Sequence, residues 1–309
     1  MSPHLLVAMV VLIIAISIIA MVLTFVVRGP TAFNRGVVAR PHLRRLGWTT
    51  RTLQWLAVPV GIALVAAMSS LGGLGRGIMM MPVIFGATQI LAVVVANVVT
   101  RSSARTPGVA ALEIRRVRDL IPQALSWATG GAVVVLAGLL TWTTAVASAD
   151  DQGRAGRSFK YACSDGCKAS FGPWPGSYYS VPLGIAVVLV LAFAGLALWQ
   201  TARRPRNGAD AQIAIVDDAI RRGAARSVVA GACIAVCGSL VGIASEVGIP
   251  LIGTRLGGAF TVIAWATIAA LLLSLVTSIW ALVVLLGAQP IGRKSAAAET
   301  AESWVKGAA

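Results

Sequence analysis

The chain has 309 residues, 57% of them hydrophobic and 12% charged, with a formal net charge of +15. Soluble domains carry about 25% charged residues and at most about half apolar ones, so the balance excludes an ordinary soluble globular protein and points to the bilayer. In a soluble chain so much positive charge would suggest nucleic acid; here it reads as arginines flanking apolar spans and meeting anionic head groups, and no nucleic-acid partner is expected.

A helix needs about 20 predominantly apolar residues to cross the hydrocarbon core. Seven stretches qualify, at 4–27, 53–74, 77–100, 121–148, 179–200, 227–247 and 256–287. The expected fold class is therefore all-α: an integral membrane helical bundle of seven spans. It forms a single transmembrane domain over 1–290, followed by a flexible cytoplasmic tail at 291–309. The first stretch lacks a basic n-region and is too long for the h-region of a signal peptide, so it is expected to be a retained span.

Lys and Arg are distributed unevenly between the connections. Twenty of the 26 fall after spans one, three and five and in the tail; the other six are Arg76, Arg154, Arg157, Lys160, Lys168 and Arg255. The positive-inside rule places the larger set in the cytoplasm, which predicts an outside N-terminus and an inside C-terminus in a multi-pass protein of the cytoplasmic membrane.

In span two, Pro59 removes one helical hydrogen bond and predicts a bend. Pro82, Pro122 and Pro182 fall near span starts, where the missing N–H is tolerated. Gln89 and Asn97 in span three, with Gln123 and Gln200 near span ends, offer amides for bonds between helices. Buried chains of Asp, Glu or His are missing from the pattern, which argues against a proton-coupled pump. Two short amphipathic helices are expected in the cytoplasmic connections, over 112–121 and 210–222. In them Arg115 and Asp119, Asp217 and Arg221, and Asp218 and Arg222 are spaced for pairing one turn apart. Each would lie at the inner interface, anchoring the bundle or serving as a coupling surface for a cytoplasmic partner.

The longest connection, 149–178, is too short for an independent domain without staples, so an ATPase, kinase or DNA-binding activity would require a second chain. It contains Cys163-Ser-Asp-Gly-Cys167, whose Asp-Gly turn dipeptide brings the two thiols together. In an oxidising outer compartment this predicts a disulfide between Cys163 and Cys167. A structural zinc site would need four ligands, and no histidine is near. Trp174, Tyr178 and Tyr179 fit an outer aromatic belt. With Asp150, Asp151 and Arg154 they are the candidates for an interaction through this loop. The plainer reading is a stapled loop that only seals the bundle.

Span six carries small residues at Gly231, Ala235, Gly238, Gly242 and Ser245, a seam along which helix backbones can approach. Packing within this chain is the preferred reading, with dimerisation as the rival. Cys233 and Cys237 lie on another face as packing residues, poorly aimed for a mutual disulfide. Glu246 and Arg255, across a short Gly/Pro-containing turn, are candidates for an outer ion pair. His4 and His42 stand alone. Catalytic, cofactor-binding and metal-binding residues are not expected.

Four stretches carry a resemblance: Arg115-Arg116-Val117-Arg118-Asp119 with Leu120-Ile121-Pro122; Asp150-Asp151-Gln152-Gly153-Arg154-Ala155-Gly156-Arg157; Gly172-Pro173-Trp174-Pro175-Gly176-Ser177-Tyr178-Tyr179; and Asp217-Asp218-Ala219-Ile220-Arg221-Arg222. Together they resemble an uncharacterised family of actinobacterial membrane proteins, often encoded beside GntR-type regulators. The resemblance runs from about span three to span six. It implies a cell-envelope or drug-response setting and assigns no residue a role. The function expected is that of a non-enzymatic accessory, sensory or permease-like subunit with a cytoplasmic or membrane protein partner, for example a transporter ATPase subunit. The alternative is a stand-alone transporter or exporter of a small or amphipathic molecule. An intramembrane enzyme is disfavoured, because no motif assembles a nucleophile, base and orienting group.

Overall fold

The computed structural model describes residues 41–69, 73–102, 120–162, 168–203, 211–254 and 258–287. Span 4–27, the amphipathic segment 112–121 apart from its last two residues, Cys163, Cys167, Arg255 and the tail lie outside them. In chain order the described elements are α1 (Pro41–Ser69), a 3₁₀ turn (Gly73–Gly75), α2 (Arg76–Ser102), α3 (Gln123–Val146), β1 (Phe159–Ala162), β2 (Lys168–Phe171), α4 (Ser177–Arg203), α5 (Ala211–Thr254) and α6 (Gly258–Leu286). All six helices are long and apolar enough to cross a membrane.

Helix α5 is the axis of the bundle. It packs against α2, α3, α4 and α6, while α1 rests mainly on α2. In its apolar stretch 78% of residues are buried, against 11% in α1 and 17% in α6. The outer helices turn their bulk outward instead: Trp127, Val134, Val262, Leu273 and Val276 are each more than half exposed. Large apolar side chains on the outside and small ones at the centre suit a bundle whose solvent is hydrocarbon.

Polar groups inside the spans are largely satisfied locally. Thr88, Ser126, Thr129, Thr141, Ser239 and Thr277 each donate their hydroxyl to the carbonyl four residues earlier. This is how a hydroxyl survives in a helix without water. Among the described residues, bonds that cross between helices include Asn97 Nδ2 donating to Thr201 Oγ1 at 3.0 Å, Gln54 Nε2 donating to Ser227 Oγ at 2.8 Å, and the Thr143 and Ser180 hydroxyls at 3.4 Å. Such bonds average only about 0.6 kcal/mol in lipid, so they fix register more than stability. Gln89 and Ser278 are exceptions: Gln89 is 1% exposed with neither its amide nitrogen nor its oxygen partnered, and the buried Ser278 hydroxyl has no partner either.

The structure corrects several sequence expectations. The segment at 210–222 is not a separate interfacial helix; from Ala211 it runs unbroken into span six as one 44-residue helix. Nothing between Arg222 and Ser227 breaks it, because Gly223-Ala224-Ala225 is tolerated in a packed helix; Ala224 and Ala225 are buried. The Gly/Pro turn expected after Glu246 is also helix, continuing through Pro250 to Thr254. Flanking helices and local adjustment offset the one bond that a proline removes in a span. Helix α1 covers Pro41–Ser69, so Arg44, Arg45 and Arg51 ride on it and are not loop residues. Its end at Ser69 falls short of the expected 74. Pro59, Pro82 and Pro182 all lie inside helices. The chain is not purely helical either, since β1 and β2 form an antiparallel hairpin between α3 and α4.

Candidate functional site

The connection between α3 and α4 folds into a cap. Ser148 bridges Ser158, and β1 pairs β2 in the register Phe159↔Phe171, Lys160↔Ser170, Tyr161↔Ala169 and Ala162↔Lys168. The alternation of a strand turns Phe159 inward and Lys160 outward. Ahead of the strands a tight loop is closed by Asp150. Its Oδ1 accepts from the N–H groups of Gln152 (3.0 Å) and Arg154 (2.8 Å), and its Oδ2 accepts from Arg154 Nε at 2.8 Å. Desolvation pushes the Asp150 carboxyl up, but the hydrogen bonds and charge of Arg154, with the Gln152 N–H, outweigh it and hold the group below the usual Asp value. Gly156 has φ +73°, and a Cβ there would collide with Ser177, so this bend requires glycine.

Trp174 is the hub of the cap. It is 0% exposed, stacks on Phe159 with ring centroids 4.7 Å apart, and meets Trp142 and Phe171 edge-on. Its Nε1 donates to the Thr143 carbonyl at 3.0 Å. That carbonyl belongs to the last turn of α3, so the indole ties the hairpin to the end of the helix it packs on. Phe159 also reaches Phe260 of α6 at 6.0 Å. Trp174 and Tyr179 (1% exposed) are therefore interior residues and not an outward aromatic belt. An aromatic at a span end can face lipid or fold back under a hairpin, and here the stacking partners on β1 and β2 draw Trp174 inward.

Tyr178 is placed differently. It is half-buried, its hydroxyl reaches the Gly73 carbonyl at 3.5 Å, and two guanidinium groups lie over its ring: Arg157 at 3.9 Å and Arg76 at 5.1 Å. Of the sequence-predicted loop residues, the fold thus brings Trp174, Tyr178 and Tyr179 to one end of the bundle. Asp150 and Arg154 pair with each other at its margin, and Asp151 is exposed. Glu246 is half-buried on α5, within electrostatic reach of Tyr179. Arg255, its expected partner, lies outside the described residues. The roles of Arg76 and Arg157 are not foreseen from sequence, where they are only two of the six minority-side cations; the signal was their position beside a glycine turn and a tyrosine-opened span.

The seam on α5 is resolved in part. A Cβ on Gly86 of α2 would overlap the Gly231 carbonyl and Ala235, and one on Gly238 would meet Pro82 at 2.6 Å. Gly231, Ala235 and Gly238 therefore seat α2 directly. Gly242 has nothing within 4 Å of where its Cβ would stand, and Ser245 bonds back to the Gly242 carbonyl. On the opposite face Cys233 and Cys237 are free and buried, with their sulfurs 3.8 Å apart, packed with Leu125, Ala281 and Leu285. Among the described residues no group of three or more His, Cys, Asp or Glu could hold a metal ion.

No protein family, curated protein or solved structure matches the chain.

Proposed function

We propose that the protein is a non-enzymatic subunit of the cytoplasmic membrane, accessory or sensory in kind, in which the bundle is an anchor and the cap is the recognition element. The observation that supports this most is the contrast between the two ends of the construction. The central helix is enclosed and seated by backbone-to-backbone contact at Gly86 and Gly231, while the most elaborate tertiary structure, the Trp174 hub, is spent on a connection at the bundle's end. A carrier requires alternate access through the middle; a recognition subunit requires an ordered end on a rigid support.

The proposal includes seven spans with the N-terminus outside, the cap facing outward, and a Cys163–Cys167 disulfide. It is supported by the end at which the elements gather: Gly73, Arg76, the cap and Phe260 all meet there, as alternating spans require. The antiparallel register ending at Ala162 opposite Lys168 flanks the two cysteines immediately. Photocrosslinking in native membranes, from Lys160 on the cap and from Arg222 on α5, tests the subunit role. A discrete protein adduct from either position is expected. Substrate flux by the purified protein alone in liposomes would overturn it in favour of the stand-alone transporter.

A further inference from the structure

The end of the bundle that bears the cap holds two cations that the described acids of the cap, Asp150 and Asp151, do not pair with. The guanidinium groups of Arg76 and Arg157 lie over one ring, that of Tyr178, so they are no farther apart than their two ring distances added together. Both are half-buried. Among the described residues neither pairs with a carboxylate: Asp150 is taken by Arg154, and Glu246, the acid that α5 contributes at this end, makes no ion pair with either. Two like charges held close repel, and stacking on an aromatic face at half-exposed sites returns only about 0.5–2 kcal/mol each. The arrangement is therefore poised to receive an anion.

The geometry favours a phosphate oxyanion. A guanidinium over an aromatic face uses none of its N–H donors on the ring, and the fork of those donors matches phosphate. Depth selects the source. Arg76 is the first residue of one membrane-crossing stretch, and Tyr178 is the second residue of another. Tyrosine and arginine at a span end sit at head-group level. We infer that Arg76, Tyr178 and Arg157 bind the phosphate of an anionic phospholipid head group in the leaflet on the cap side. In this site α2 supplies one arm, the stretch before β1 the other, and both meet at the Tyr178 ring on α4. This site stands apart from the subunit role proposed above and holds whichever partner the protein has.

Native mass spectrometry of the full chain, from micelles doped with phosphatidylglycerol or phosphatidylethanolamine, tests it. The wild type is expected to retain phosphatidylglycerol in preference. R76Q/R157Q should weaken that retention by about thirtyfold, the effect of two interfacial charges. Y178F keeps the ring and should bind within about twofold of wild type, whereas Y178L removes the platform and should bind clearly less. A merely structural latch would instead lose thermal stability with no change in lipid preference. Equal retention of both lipids by the wild type, or wild-type retention of phosphatidylglycerol by R76Q/R157Q, overturns the inference. So does stabilisation by millimolar inorganic phosphate that phosphatidylglycerol does not reproduce, which would assign the site to a soluble anion. Should the double variant fail to fold, R157Q alone and the two-lipid comparison on wild type decide it.

Discussion

Trp174 is held in two ways at once, by ring contacts on β1, β2 and α3 and by one hydrogen bond to the end of α3. Truncating a buried Trp costs about 3–5 kcal/mol. Trp174→Ala is therefore expected to release the cap while leaving the bundle folded, seen as fast hydrogen exchange over Phe159–Ala162 and Lys168–Phe171. Trp174→Phe keeps part of the stack and removes the hydrogen bond to the Thr143 carbonyl, a smaller loss of about 0.5–1.5 kcal/mol. If exchange in the hairpin is unchanged in both variants, the indole is not its hub. The sequence located this residue at a span end but not its direction. Tryptophan is enriched at interfaces because it is amphipathic, and the same property lets it roof a helix terminus; only the pairing of Phe159 with Phe171 decides between the two.

At the scale of elements, the contact between α2 and α5 rests on a few glycines. Gly86→Leu is expected to pry the helices apart and lower the thermal midpoint in detergent by several degrees, since overpacking a tight contact costs about 1–3 kcal/mol. Gly242→Ala should leave the midpoint level or raise it, because a methyl there meets nothing and Ala is the better helix former by about 1 kcal/mol. A midpoint that falls for Gly242→Ala as far as for Gly86→Leu would mean that the seam continues past Gly238. The spacing of small residues in α5 made this face legible, yet it could not show where contact stops. Crossing helices touch over a couple of turns, and those turns here run from Gly231 to Gly238. Spans were legible for the same reason that their ends were not. Apolar length reports the hydrocarbon, whereas the true ends of α1 and α5 depend on polar turns that helix tolerates equally well.

For the whole molecule, the connections decide how it is set in a membrane. In intact cells, a thiol label that cannot cross the membrane is expected to reach Cys163 and Cys167 only after reduction. It should not reach a cysteine placed at Arg204 in a chain whose Cys163 and Cys167 are serine. The opposite pattern would invert the assignment of the two ends. Helix α5 has a consequence that holds for either assignment. At about 1.5 Å per residue its 44 residues measure about 66 Å, roughly twice the hydrocarbon thickness. Spanning helices tilt by no more than about 40°, which shortens the projected length by only about a quarter. Some of α5 therefore projects past the hydrocarbon at every tilt, as a stalk continuous with the most deeply enclosed stretch of the bundle. A force applied to that stalk has no joint at which to dissipate before it reaches the interior.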